Sequence, residues 1–393
     1  MKKSYCFLTG GTGLLGAYIL RNLLRVRHPV AVLARPSKKE SPKQRIEDIL
    51  SYWEREMDEE LPRPIVIEGD LQNDAWREKH AEWFKNNCGS VIHCAASLTF
   101  YGSPGDEPWR SNVDGTKKIL SICKDYGIPR MHYISTAYVA GSSRLFRENV
   151  FDIGQILRND YEQSKFDAEK LVREADFLDR PTIYRPSIVV GDSRTAYTST
   201  YHGFYAVLKL AHTLVRRMPL GSTSGRNLLT ALGMNGSERK NFVPVDWVAD
   251  VFDYIFANPQ FHGQTYHLTT PQPPLLGDFV DVVQKAVETY SSLAEESDSH
   301  KADENWFFQN YMDNVQIYKA YLQDDPVFDS TNTQTAAPHL PCPDMDADLM
   351  MFLARYAILS QFGKKNLEKR KLFLLHQNAP SSPHSRKLEL VIK

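Results

Sequence analysis

The chain has 393 residues, long for one compact domain and short for three. Hydrophobic residues make up 42% and charged residues 24%, the composition of an ordinary soluble globular protein, and the formal net charge of -1 argues against a nucleic-acid partner, which would require a basic excess. No apolar run approaches the ~20 residues that span a bilayer, and the apolar stretch behind Lys2-Lys3 is broken at once by glycines, which argues against a secretory signal.

In chain order, Tyr5 to Gly16 comes first, and the rest depends on it: a buried strand, a glycine turn and the start of a helix. Gly11, Gly13 and Gly16 match Gly-x-Gly-x-x-Gly, and Gly10, Gly13 and Gly16 match Gly-x-x-Gly-x-x-Gly. Such glycines turn the chain out of the strand, admit a pyrophosphate against backbone and let the helix pack close to the sheet. The helix N-terminus adds free N–H groups and the positive dipole end. Ala17 to Leu24 continues at helical spacing. The bland alternative is a glycine turn with no ligand.

Pro29 to Ala34 reads as a second buried strand, ending at Arg35. An NAD site usually puts Asp or Glu here for the ribose hydroxyl. An arginine suits the extra 2′-phosphate of NADP, with Arg45 as a second contact; the competing reading is an arginine capping a strand end in solvent. Gln44 to Glu60 is an amphipathic helix and Pro64 to Leu71 a third strand, whose Asp70 reads as an adenine contact or as the cap of the next turn. Ser90 to Ala96 is a fourth strand. Ala95 and Ala96 leave room for a cofactor over its end, and His93 reads as a core histidine rather than a catalyst. A helix opens at Asn112, and Met131 to Thr136 is a fifth strand. A helix from about Asp160 to Ala175 and a sixth strand with its exit, Pro181 to Gly191, follow. This alternation predicts a Rossmann-type α/β fold, a doubly wound parallel sheet.

Beyond Gly191 the rhythm loosens around one apolar helix, Tyr205 to Val215. A helix through Val248, Val251 and Ile255 and a late strand, Gln264 to Thr269, follow. Residues 291 to 344 show no clear period, Met345 to Phe362 is helical, and the chain from about Asn378 has the composition of a disordered tail. The expected domains are a core of residues 1–191, with 241–275 returning to it, and a smaller C-terminal substrate-binding lobe of 192–240 and 276–377. The Met345–Phe362 helix has two readings. It packs on that lobe, or with Lys364-Lys365 and Lys369-Arg370-Lys371 it forms a lid or peripheral membrane contact. The five cysteines form no Cys-x-x-Cys pair and read as reduced and structural, as in a reducing cytoplasm.

The chemistry is carried by Tyr161 and Lys165, four residues apart and so on one helical face. An ammonium beside a phenol, helped by the charge of a nicotinamide ring, favours the phenolate and lowers a pKa that is ordinarily about 10. Thr136, closing the fifth strand, can hold a substrate oxygen alongside Tyr161. Alone, Tyr-x-x-x-Lys is mostly a surface pair; its place after Ser135-Thr136 and downstream of the glycine turn gives it meaning.

With these motifs in view, the chain resembles the extended short-chain dehydrogenases/reductases. Within them it is most similar to thioester reductases and fatty acyl-CoA reductases, the "male sterility" branch. The resemblance rests on Thr9–Gly16, Arg35, Gly69-Asp70-Leu71, His93–Ala96, Asn112–Thr116, Ser135–Gly141, Tyr161–Lys165 and Tyr184–Thr195. It implies Thr136, Tyr161 and Lys165 as the catalytic triad, with Lys165 also on the nicotinamide ribose. It implies an NADP(H) site at Gly10, Gly11, Thr12, Gly13, Leu14, Leu15, Gly16, Arg35, Arg45, Asp70, Leu71, Ala95, Ala96, Asn112, Tyr161, Lys165, Pro186 and Ser187, and no metal. Thr12 to Leu15 would wrap the pyrophosphate, Asp70 and Leu71 flank the adenine, and Pro186 and Ser187 line the nicotinamide. The implied activity is reduction of an acyl thioester, on CoA or a carrier protein, to an aldehyde or on to an alcohol, in cytoplasmic lipid metabolism. Monomer and homodimer stay open. Alternatives on the same fold are a sugar-nucleotide epimerase or dehydratase and a hydroxysteroid-type dehydrogenase. A non-catalytic NADP-binding sensor belongs to another class, whose members usually lose the tyrosine or the lysine.

Overall fold

Phe7-Leu8, Val30 to Leu33 and Val91-Ile92 are buried on both faces, which is the fate of parallel strands covered by helices on either side. The computed structural model describes residues 4–37, 39–103, 105–217, 225–291 and 322–364. In chain order the elements are β1 (Tyr5–Thr9), α1 (Leu14–Arg25), β2 (Val30–Ala34), α2 (Pro42–Met57), β3 (Ile65–Glu68), α3 (Ala75–Lys79), α4 (Ala81–Asn87), β4 (Cys88–His93), α5 (Gly115–Asp125), β5 (Arg130–Ile134), β6 (Leu145–Phe146), α6 (Asp160–Arg173), β7 (Thr182–Pro186) and β8 (Ile188–Val190). There follow α7 (Phe204–Arg217), α8 (Gly225–Ala231), β9 (Phe242–Pro244), α9 (Val245–Ala257), β10 (Thr265–Leu268), α10 (Leu276–Tyr290), β11 (Val327–Phe328), α11 (Thr331–Ala336) and α12 (Ala347–Leu359).

Seven strands form one sheet in the order β10-β7-β5-β4-β1-β2-β3, and every pair in it is parallel. The chain winds outward from β1 to β3, then crosses back to β4 on the other side. The order therefore reverses between β1 and β4, the switch point at which such sheets hold ligands beyond their carboxyl ends. Helix α1 packs on α9, and α5 on α6. Beneath α5 and α6, and beside α3 and α4, lies a core of Phe7, Ile67, Trp76, Phe84, Val91, Ile119, Met131 and Ile183. Each such side chain contributes roughly 1.5–3 kcal/mol by burial.

The described residues fall into two compact units. The first is Met1–Ser187, Val245–Thr269 and Pro326–Pro341; the second is Ile188–Pro244, Thr270–Asp325 and Cys342–Lys393. In the first, Pro326–Pro341 adds β11 beside β6 and is held by the buried Glu148. That carboxylate accepts from the backbone N–H of His267 (2.7 Å), Asn332 (2.5 Å) and Thr333 (3.3 Å). In the second, α12 is buried at Met350, Leu353, Ala354, Ala357 and Ile358 and packs on α10 and α7. That agrees with the packed reading of the Met345–Phe362 helix. The basic run beyond Lys364, like the tail from Asn378, lies outside the described residues. Among the described residues no helix is long and apolar enough to cross a membrane.

Two points refine the expected elements. The sixth strand ends at Pro186, and its exit forms a short strand of its own. Pro186 has no N–H for the ladder; past it Ser187 N–H still bonds the Leu268 carbonyl (3.1 Å), but Ile188 N–H turns to Asn241 (3.1 Å), and Ile188–Val190 pairs with Phe242–Pro244 in a separate ladder. The chain-order reading also passes over α3, α4 and α10, although α10 buries Phe279, Val280, Val283, Ala286 and Val287 at helical spacing.

Candidate active site

The glycine turn leaves β1 and enters α1. Gly10 has φ +75, and a Cβ there would meet the Ala95 backbone nitrogen at 2.6 Å; one on Gly16 would meet the Gly10 carbonyl oxygen at 2.1 Å. Both glycines are therefore forced by close packing of turn, β4 exit and helix. Gly13 is exposed and is the N-cap of α1, with no side-chain cap and no acidic residue in the first turn. A twelve-residue helix that begins uncapped beside exposed backbone fits the pyrophosphate of a dinucleotide.

Arg45, on α2, donates to the Arg35 carbonyl (2.7 Å) and to the Thr12 hydroxyl (3.1 Å), tying the end of β2 to the turn. The Arg35 guanidinium stands 4.0 Å from the Asp70 carboxylate, largely in solvent. Asp70 does cap the following turn, accepting from the Gln72 N–H (3.0 Å), while its own carbonyl accepts from the Trp76 indole (2.9 Å). Leu71 sends its side chain into the core beside Gly115 and keeps 9% exposure. Asn112 is spent internally: its amide binds the Ser97 backbone (2.8 and 3.1 Å) and donates to Ser164 (2.9 Å), clamping the loop after β4 to α6. Ala95 and Ala96 lie in that loop, partly or fully exposed.

Thr136 lies just past β5. Its hydroxyl donates to the Pro186 carbonyl (3.4 Å), accepts from the Tyr138 N–H (3.2 Å) and hydrogen-bonds the Tyr161 phenol. Pro186 and Ser187 thus stand beside Thr136 through the end of β7. Helix α6 starts at the Asn159 cap and brings Tyr161 and Lys165 to the same strand ends. The expected contact of ammonium and phenol is replaced by another: Lys165 Nζ donates to the Tyr133 hydroxyl (3.0 Å) and the Ile134 carbonyl (2.7 Å). The net effect on the phenol is the opposite of acidification. Burial pushes Tyr161 up to about 12 against the pull of Thr136. Burial also pushes Lys165 down to about 8, against the opposing pull of Cys94 and Glu169. His93 is a core histidine, 1% exposed, between Thr9 (2.7 Å) and Thr116 (3.1 Å), and burial with the Lys165 charge pushes it down to about 3.

A second buried cluster escaped the sequence reading. Glu169, one turn beyond Lys165, accepts from Ser135 (2.5 Å), Arg173 (2.8 Å) and Arg185 (2.6 Å). Burial alone would raise its pKa, but the two guanidiniums and Ser135 hold the carboxyl down to about 2. Arg185 also reaches the Val150 carbonyl (3.1 Å) and the His267 ring (3.2 Å). The available signal was the spacing Tyr161, Lys165, Glu169, Arg173, one residue every fourth along a single face of α6.

The profile of the family described as "Male sterility protein" matches residues 8–252. The non-canonical nonribosomal peptide synthetase hkm10 of Aspergillus hancockii is 23% identical over 368 residues, 86% of this chain and 34% of that protein. The aldehyde reductase lnbA of Aspergillus flavus is 25% identical over 281 residues, 67% of this chain and 26% of that one. The chain thus spans about a third or less of the length of these curated relatives. In fold it is similar to the crystal structure of the terminal R domain from the myxalamid PKS-NRPS pathway, with a TM-score of 0.67 and 24% identity over 97% of this chain and 93% of that one.

Proposed function

The chain belongs to the male sterility protein family and is an NAD(P)H-dependent oxidoreductase of the extended short-chain dehydrogenase/reductase type; from that premise we propose that it reduces an acyl thioester with NADPH. The observation that supports this best is the meeting of Thr136, Tyr161 and Lys165 at the sheet edge that also carries the glycine turn. The choice of NADPH over NADH rests on Arg35 and Arg45, since cations at the end of β2 suit a phosphate and not a ribose hydroxyl.

When bound, the nicotinamide supplies the hydride. Thr12 to Leu15 and the start of α1 are assigned to the pyrophosphate. The hydroxyls of Tyr161 and Thr136 donate to the thioester oxygen and stabilise the charge it gains as the carbon–hydrogen bond forms. Loss of one such donor typically costs about 3–4 kcal/mol of barrier. A phenol pushed up to about 12 keeps its proton at neutral pH, which suits an acid that must protonate that oxygen. Lys165, one turn along α6 and bound to Tyr133 and the Ile134 carbonyl, acts on the phenolate left behind through its charge and not through a hydrogen bond. The hemithioacetal so formed expels its thiol and leaves an aldehyde; a second hydride would give an alcohol. The carrier, CoA or a carrier protein, supplies the leaving thiol. The test is incubation with NADPH and a panel of acyl-CoA thioesters. The expected result is NADPH oxidation with release of one thiol per aldehyde; no thioester-dependent oxidation at any chain length would overturn the reading.

A further inference from the structure

We propose that Tyr133 is a positioning residue for this reaction: its hydroxyl, oriented by a buried chain through Thr116, His93 and Thr9, fixes the catalytic ammonium of Lys165. The inference rests on the reading of Lys165 given above. Every member is buried, with Thr9, His93, Thr116 and Tyr133 each 1% exposed and Lys165 2%. The hydrogen positions follow from the partners. The Ala95 N–H can only donate, and it reaches the Thr9 hydroxyl oxygen (3.2 Å). In the neutral ring the proton sits on Nε2, because Thr116 has given its own proton away, and Nδ1 therefore accepts from Thr9 (2.7 Å). Nε2–H then donates to Thr116 (3.1 Å), whose proton goes to the Asn112 carbonyl (2.6 Å), a group that only accepts. Thr116 keeps one lone pair and lies against the Tyr133 hydroxyl. An ammonium can only donate, so Tyr133 accepts from Lys165 Nζ at 3.0 Å, with the Ile134 carbonyl at 2.7 Å as the second acceptor.

The chain has one consistent direction and demands a neutral imidazole. Protonated at both nitrogens, His93 would turn a donor toward Thr9 and reverse it. The chain also begins at Ala95 and Thr9, where the glycine turn meets the β4 exit. It therefore links the cofactor-facing backbone to the lysine. Lys165 also packs over the Tyr133 ring at 4.5 Å, so a phenylalanine would keep the packing and remove only the acceptor. The other groups that face Lys165 are Glu169 from its own helix, Cys94 beyond β4 and His93 on β4, while Tyr161 lies one helical turn before it.

The test is Tyr133→Phe in the full chain, with Thr116→Val as a second variant. Two readouts are needed: the pH dependence of kcat, and titration of the Lys165 ammonium by 15N NMR, assigned with Lys165→Met. The expected result is unchanged folding and NADPH affinity, kcat lower by roughly 10- to 100-fold as for a hydrogen bond to a charged group, and both the alkaline limb and the NMR midpoint lower by about one pH unit. Thr116→Val moves both the same way by less. Wild-type titration and kcat in Tyr133→Phe would overturn the inference. Absence of thioester turnover in the wild type would instead overturn the thioester reading, and the NMR midpoint would still decide the role of Tyr133.

Discussion

The two edges of the central sheet use similar residues to opposite ends. At the C-terminal edge the strands finish in the glycine turn, Ala95-Ala96, Ser135-Thr136 and Pro186, and helix α1 points its positive end there. Polar groups at that edge are aimed: Thr136 at Tyr161, Arg45 at Thr12, Lys165 at Tyr133. At the N-terminal edge a cavity of about 110 Å³ is lined by Tyr5, His28, Arg130, His132, Phe256 and His262. There the carbonyls of Ile255 and Phe256, at the negative end of α9, accept from the His262 ring (3.1 Å each), and His132 bonds the Tyr184 hydroxyl (3.0 Å). The cavity lies at the opposite edge from the glycine turn, so under the proposed reading strand direction, rather than the presence of a hollow, decides where an anionic cofactor would bind. One edge combines an uncapped helix start with a buried polar cluster; the other consumes its polar groups in holding the fold.

The sharpest way to break this comparison is Glu169→Gln, behind the catalytic edge. It leaves the fully buried Arg185 without its carboxylate and is expected to cost roughly 3–5 kcal/mol in urea unfolding. Glu169→Gln with Arg185→Met should recover much of that stability. A second test uses acid. Burial, His262 and Arg130 hold His132 well below its ordinary value. The unfolded chain therefore takes up a proton below about pH 6.5 that the folded chain refuses, and stability falls by roughly 1.4 kcal/mol per pH unit for that one site. Above pH ~6.5 both states are neutral there and the effect vanishes. His132→Phe should flatten the slope measured by denaturant unfolding between pH 5 and 6.5, values chosen to lie at or just below the ordinary imidazole pKa of about 6.5. Third, Arg45→Ala is expected to raise KM for NADPH about tenfold, near 1.4 kcal/mol, with NADH little changed, which steady-state kinetics with both cofactors would read. The smallest effect belongs to Arg63, paired with Glu47 and Glu54 on an exposed surface. Arg63→Ala should shift urea stability by under about 1 kcal/mol, the ordinary worth of such pairs.

Much of the candidate site was legible because its residues sit at element ends with rigid local rules. Gly10 to Gly16, Thr136 after a β-run, and Tyr161 with Lys165 on one helix turn can each be read from a few neighbours. His93 as a core residue was legible in the same way, lying inside an apolar strand. What Lys165 touches was not, because the choice between Tyr161 and Tyr133 depends on how α6 seats against β5. The pairing of Glu169 with Arg185 links a helix to a strand and carries no local signature. The β6–β11 ladder has two residues per strand, too few for a period, so the return of Pro326–Pro341 to the first unit left no trace in hydrophobic patterning. The break at Ser187 was signalled only by Pro186, which reads equally well as a strand end.

The central claim is that the Tyr161 phenol at the C-terminal edge delivers the proton for thioester reduction. Tyr161→Phe, measured beside the wild type for NADPH affinity and for kcat on an acyl-CoA it turns over, tests it most directly. The account predicts unchanged affinity and kcat lower by roughly 10³-fold, within the range for loss of a general acid. Turnover within a few fold of the wild type would contradict it.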